Sequence, residues 1–203
     1  MPLIGIPSGR SPAGTIYAWG VNPRVLRAAG PVILVAAALL ALVWALAYGG
    51  GAAPLILGDA GPVVRWGIPV VKLAVNLAAA GMVGTLVVAL YALKAGEREF
   101  DVALDAASVS AAVFTVAAGA NGFLVFLDSF NAQLSLGPEF GAQLGRFLVE
   151  TELGRVWLIT TVLGAIITVL AFAVRSWTPS FLLALLALAA LVPMGTQGHS
   201  GEQ

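Results

Sequence analysis

Five stretches of this sequence are long and apolar enough to cross a bilayer, and that leaves few folds open. They fall at 28–48 (AAGPVILVAAALLALVWALAY), 69–93, 104–127, 156–174 and 179–196. A helix needs roughly 20 apolar residues to cross the hydrocarbon core. Inside lipid every backbone N–H and C=O must be satisfied within the protein, so such runs become helices. Composition points the same way. Hydrophobic residues make up 60% of the chain and charged residues 10%, against about 25% charged in a soluble domain. The mean hydropathy is +0.97. The expected fold is therefore all-α, a polytopic transmembrane helical bundle of about five spans. Residues 1–27 form a cytoplasmic N-terminal segment, 28–196 the transmembrane domain, and 197–203 the start of an outer loop.

The first run is too long for a signal-peptide core and follows a polar lead, so it is read as a retained span. Lys and Arg in short loops set the orientation. A cytoplasmic N-terminus places Arg10, Arg24, Arg27, Lys94, Arg98 and Arg175 inside, and Arg65, Lys72, Arg146 and Arg155 at or near the outer side. Between the third and fourth spans, Pro138 suits a first helical position. Phe140, Leu144, Phe147, Leu148 and Thr151 then recur at a spacing of 3–4, with Gln143, Arg146 and Glu150 opposite. This reads as a short amphipathic helix at the outer interface, with Arg146 and Glu150 paired at i,i+4.

Several function classes drop out. Net charge is zero, so no nucleic-acid partner is indicated. The absence of cysteine removes disulfides, thiolate catalysis, Cys-type zinc sites and iron–sulfur clusters. No GxGxxG, Walker, HExxH or GxSxG pattern occurs. Glu139, Glu150 and Glu152 lie outside with no histidine or nucleophile near them. The chain reads as a non-enzyme without nucleotide or haem.

Two groups of residues could carry chemistry. Lys72 and Asn76 stand one turn apart on the second span, and Asn121 and Asp128 lie towards the outer end of the third. Ionisable and polar groups at such depth mark function, so the four form a candidate polar cluster with Lys72 facing Asp128. The plainer alternative has Lys72 snorkelling to the headgroups and Asp128 in a loop. Gly81, Gly84, Gly119 and Gly122 read as close-packing positions. The five tryptophans read as interfacial anchors. The second group is Met194 and His199, the only histidine. Thioether and imidazole together suit copper, although on spacing alone both also read as an ordinary span residue and loop residue.

GGGAAPLILGDAGPVVRWGIPVVKLAVNLAAAGMVGTLV, GEREFDVALD, FGAQLGRFLVETELGRVWL, TVLAFAVR and LAALVPMGTQGHSG together resemble the N-terminal part of the copper resistance D (CopD) family. They are most similar to actinobacterial membrane proteins in which a CopD domain is fused to a cytochrome c oxidase assembly (CtaG-like) domain. The resemblance covers about residues 28–201. It implies a bacterial plasma-membrane protein that takes up, binds or delivers copper in support of cytochrome c oxidase assembly. It implies His199 and Met194 as metal ligands on the outer face, oxidase subunits as partners, and a chain that continues past Gln203 with further spans. Two other readings stay open: an accessory subunit of a respiratory complex, docked through the amphipathic helix and the glycines, and a transporter of another small solute using the polar cluster.

Overall fold

The structure, a computed structural model, describes residues 23–54, 58–132, 135 and 137–195, with side chains from residue 29 onward. All regular structure among the described residues is helical: α1 Pro23–Tyr48, α2 Pro62–Ala92, α3 Arg98–Phe130, α4 Pro138–Glu150, α5 Glu152–Ala173 and α6 Trp177–Gly195. All except α4 are long and apolar enough to cross a membrane. The chain divides into two compact units, 1–40 and 41–203. The described part of the first belongs to α1, an apolar helix with Pro31 inside it. In the second, α2, α3, α5 and α6 form a bundle to which α4 is added at one end. That end is called the α4 end below; the opposite one carries the α2–α3 turn.

Local chemistry fixes where each helix starts and stops. α2 begins at Pro62, earlier than the apolar run alone suggests, and Pro69 lies within it. Proline is pre-set for a first turn because its missing N–H would have no helical acceptor there. Just upstream, the Asp59 carboxylate accepts the Gly61 N–H at 3.0 Å and pairs with Arg65 one turn into the helix. Gly61 sits at φ 97°, a left-handed conformation that glycine takes without strain. α3 ends on Asn131 at φ 46°, whose N–H donates to the Asp128 carbonyl, while the Ala132 N–H donates to that of Leu127. These bonds satisfy carbonyls that the last helical turn leaves open.

A single residue separates α4 from α5. The Thr151 hydroxyl donates to the Phe147 carbonyl at 2.7 Å and accepts the Gly154 N–H at 3.0 Å. It therefore closes one helix and caps the next. At the opposite end Arg175 donates to the Ala171 and Val174 carbonyls and to Asp105 of α3 at 2.9 Å. The Trp177 indole N–H donates to the Leu90 carbonyl of α2 at 3.3 Å. These bonds tie α2, α3 and α6 together at the turn end.

The core has three layers. Nearest the turn end, Met82, Leu86, Phe100, Leu104, Ile167 and Leu183 belong to one wholly apolar cluster. In the middle, Val75 and Phe114 pack with Val71, Leu191 and Met194. At the α4 end, Phe126 meets Phe140 and Phe147 of α4 with ring centres 5.4 and 5.6 Å apart. α4 thus turns Phe140, Leu144, Phe147 and Leu148 inward, the face its periodicity implies. Arg146 and Glu150 are both exposed, and the expected ion pair between them is not formed.

α3 and α5 meet along a seam of small residues. A methyl group at Gly122 would lie 2.9 Å from the Trp157 Cβ, and one at Gly164 would lie 2.7 Å from the Thr115 hydroxyl oxygen. The Thr115 and Thr168 hydroxyls meet at 3.1 Å. Small residues let helix axes approach closely where no water squeezes them together. Trp157 is accordingly a buried seam residue rather than an interfacial anchor, at 3% exposure. Gly81 is also close-packed, whereas a methyl group at Gly119 would make ordinary contact with Thr161 and one at Gly84 would meet open space.

Candidate functional site

A polar side chain inside an apolar bundle needs a partner, and its absence is costly. Among the described residues four polar side chains are buried: Ser108, Asn121, Thr160 and Ser180. Two are satisfied by their own helices, since Ser108 donates to the Leu104 carbonyl and Ser180 to that of Ser176, each at 2.8 Å. The other two are not. The Asn121 carboxamide oxygen and nitrogen, the Thr160 hydroxyl and the Trp157 indole nitrogen are buried without a hydrogen-bond partner among the described residues. Leaving such a group unpaired costs about 1–3 kcal/mol.

These three residues occupy one level of the bundle. Asn121 adjoins Gly122, which lies against Trp157. Thr160 stands nearly one turn beyond Trp157 on the side of α5 that also carries buried Gly164 and Ile167. Other hydroxyls of the seam close back on their own helix, Thr161 on the Trp157 carbonyl and Thr168 on that of Gly164. Thr160 does not. Three buried, unpartnered groups, a carboxamide, a hydroxyl and an indole N–H, thus lie within about a turn of the Gly122–Trp157 contact, a polar stratum of the α3–α5 seam.

The residues expected from the sequence are distributed around this stratum. Asn121 is within it and wholly buried. Lys72 and Asn76 share the exposed face of α2. Asp128 is exposed in the last turn of α3 and forms no ion pair with Lys72. Asn121 and the other three therefore face different environments. Met194, in the last turn of α6, is half-buried against the cluster that holds Val75 and Phe114. His199 lies outside the described residues.

Beside the stratum, Asp59, Val64, Leu127 and Asn131 line an open cleft of about 460 Å³. Its Asp59 is neutralised by Arg65, whose side chain is only 15% exposed. Among the described residues no group of three or more His, Cys, Asp or Glu side chains could hold a metal ion. Sequence reasoning missed Thr160, Trp157 and the Asp59–Arg65 pair. The pair had a signal, a carboxylate and a guanidinium six residues apart flanking a Gly-Pro helix start. Thr160 had none, because its neighbour Thr161 has the same composition and the opposite fate.

The family described as "Copper resistance protein D-like, N-terminal domain" matches residues 59–203. That interval takes in α2 to α6, the polar stratum and Met194. No curated protein and no solved structure matched the chain.

Proposed function

The chain belongs to the copper resistance protein D-like family, and from that premise we propose that it binds copper as cargo at the α4 end and passes it on without catalysing a reaction. The observation that supports this reading is the set of unpartnered polar groups of Asn121, Thr160 and Trp157, which lies between the α4 end and the middle layer where Met194 packs. The Met194 thioether favours Cu(I), and an imidazole such as that of His199 binds either oxidation state. Asn121 offers a hard carbonyl oxygen, which suits a hydrated ion or an ordered water better than bare Cu(I). In this division of labour Met194 and His199 capture the ion and Asn121 keeps the adjoining interior hydrophilic.

On this reading the α4 end faces outward from the plasma membrane of a bacterium, with the N-terminus in the cytoplasm. α4 then lies along the outer interface, as its one-sided apolar face suits. The cargo serves cytochrome c oxidase assembly, and oxidase subunits are the partners.

The test is a titration of Cu(I), or Ag(I) as its redox-inert analogue, into purified protein and into Met194→Ala and His199→Ala variants. Each variant is expected to weaken binding at least about tenfold, the loss of one good ligand. Unchanged binding in both removes these residues as ligands. Thiol labelling of a His199→Cys variant in sealed cells checks the orientation: reaction with a membrane-impermeant reagent is expected, and protection until the cells are opened overturns it.

A further inference from the structure

The exposed face of α2 carries a stripe of two polar and two small residues within its membrane-spanning length. Lys72, Asn76, Ala80 and Gly84 follow one another at four-residue spacing, and all four are exposed. Val64, which clusters with Phe147 of α4, marks the level of the amphipathic helix. At a rise of 1.5 Å per residue, Lys72 lies about 12 Å and Asn76 about 18 Å deeper along α2. Half the hydrocarbon core is roughly 15 Å. The lysine stem can lift its ammonium towards the headgroups. The short Asn76 side chain, exposed on α2, cannot, and it has no hydrogen-bond partner among the described residues. Below it, Ala80 and Gly84 leave a shallow strip where a second backbone can approach, since even an added methyl at Gly84 meets nothing within 4 Å.

We propose that this stripe docks a transmembrane helix of a partner chain that carries a carboxylate opposite Lys72. Charge decides the occupant. The acids near α2 are already committed: Asp59 pairs with Arg65, Glu97 with Lys94, and Asp105 with Arg175. Asp128 is too far. Gly67 packs on Leu124 and Gly81 on Ser110, which sets Lys72 level with residue 119, about 13 Å from Asp128 along α3. A second copy of the chain fits poorly, because a two-fold axis along the stripe would bring Lys72 against its own image, and like charges in apposition are unfavourable. A partner acid satisfies Lys72, its backbone or a polar side chain satisfies Asn76, and small residues at Ala80 and Gly84 allow the close approach both need.

The test places benzophenone-phenylalanine at Gly84, an open position, in the full chain expressed in its native membranes, and reads the cross-linked product by mass spectrometry. The expected product is a single heterologous adduct through an apolar segment that contains Asp or Glu. Its yield should fall by about tenfold in Lys72→Glu and recover when that partner acid is exchanged for Lys, as a matched charge pair requires. A product within the chain, with a second copy, or with lipid alone overturns the proposal. So does an adduct whose yield ignores Lys72→Glu, or one that charge exchange fails to restore. Monodisperse elution of each variant separates loss of docking from loss of fold.

Discussion

A methyl group added at position 154 tests the elbow between α4 and α5, because it would meet its neighbours more closely than one at any other described glycine. The new Cβ would stand 2.0 Å from the Phe147 carbonyl oxygen and 2.9 Å from the Leu148 Cα, both backbone atoms. To reach ordinary contact at 3.4 Å, the end of α4 must retreat by 3.4 − 2.0 = 1.4 Å. That movement breaks the Thr151 hydroxyl bond to the same carbonyl, now 2.7 Å, and lifts Phe147, 2% exposed, from the aromatic cluster. Overpacking costs about 1–3 kcal/mol and a lost cap about 1 kcal/mol. Alanine returns about 1 kcal/mol over glycine in a helix. The net expectation for Gly154→Ala is a loss of about 1–3 kcal/mol, or roughly 2–12 °C in Tm for a chain of this size. Gly141→Ala is the control, since it makes the same chemical change on the exposed side of α4 with nothing within 4 Å. It should gain up to about 1 kcal/mol. Thermal unfolding of both variants in one detergent, followed by circular dichroism, reads the difference. A Gly154→Ala protein that melts within about 2 °C of the parent, or that follows Gly141→Ala, refutes the elbow geometry.

Two further outcomes follow from the polar groups. Asn121→Leu replaces an unpartnered buried carboxamide by an apolar group of similar volume. It should raise stability by about 1–3 kcal/mol in the same melt, and on the copper reading it should slow copper passage in liposomes; a loss of stability would show that the carboxamide has a partner. Asp59→Ala strips a nearly buried guanidinium of its counter-charge and should cost about 1–3 kcal/mol, whereas Lys94→Ala, which breaks a pair exposed at 85% and 57%, should be neutral within about 0.5 kcal/mol. Equal effects of the two would remove the distinction drawn here between the pairs.

How far the sequence could be read depended on whether a pattern was local. α4 was legible to its ends, because Phe140, Leu144, Phe147 and Leu148 stand on one side of a helix whose other side is polar. The long helices declared their class but not their faces. A helix that is apolar all round gives no clue to which side meets protein and which meets lipid. Hence Asn76 and Asn121, alike in sequence as amides within spans, end up exposed and wholly buried respectively. Trp157 looked like an anchor at a helix start, and only its meeting with Gly122, thirty-five positions earlier, makes a slot for it. Pairings of this kind depend on the crossing of two helices, which no single segment encodes.

The apolar layer beneath the polar stratum restricts what traffic the bundle can carry. Past Asn121 and Thr160 the interior holds Met82, Leu86, Phe100, Leu104, Ile167 and Leu183, all sealed from solvent. A charged solute arriving from the α4 end meets a hydrocarbon stopper, and entering it means shedding a hydration shell for which nothing there substitutes. Asn121 and Thr160 are themselves wholly buried, so this conformation is shut at the polar stratum as well as below it. Entry at that level waits for the helices to part.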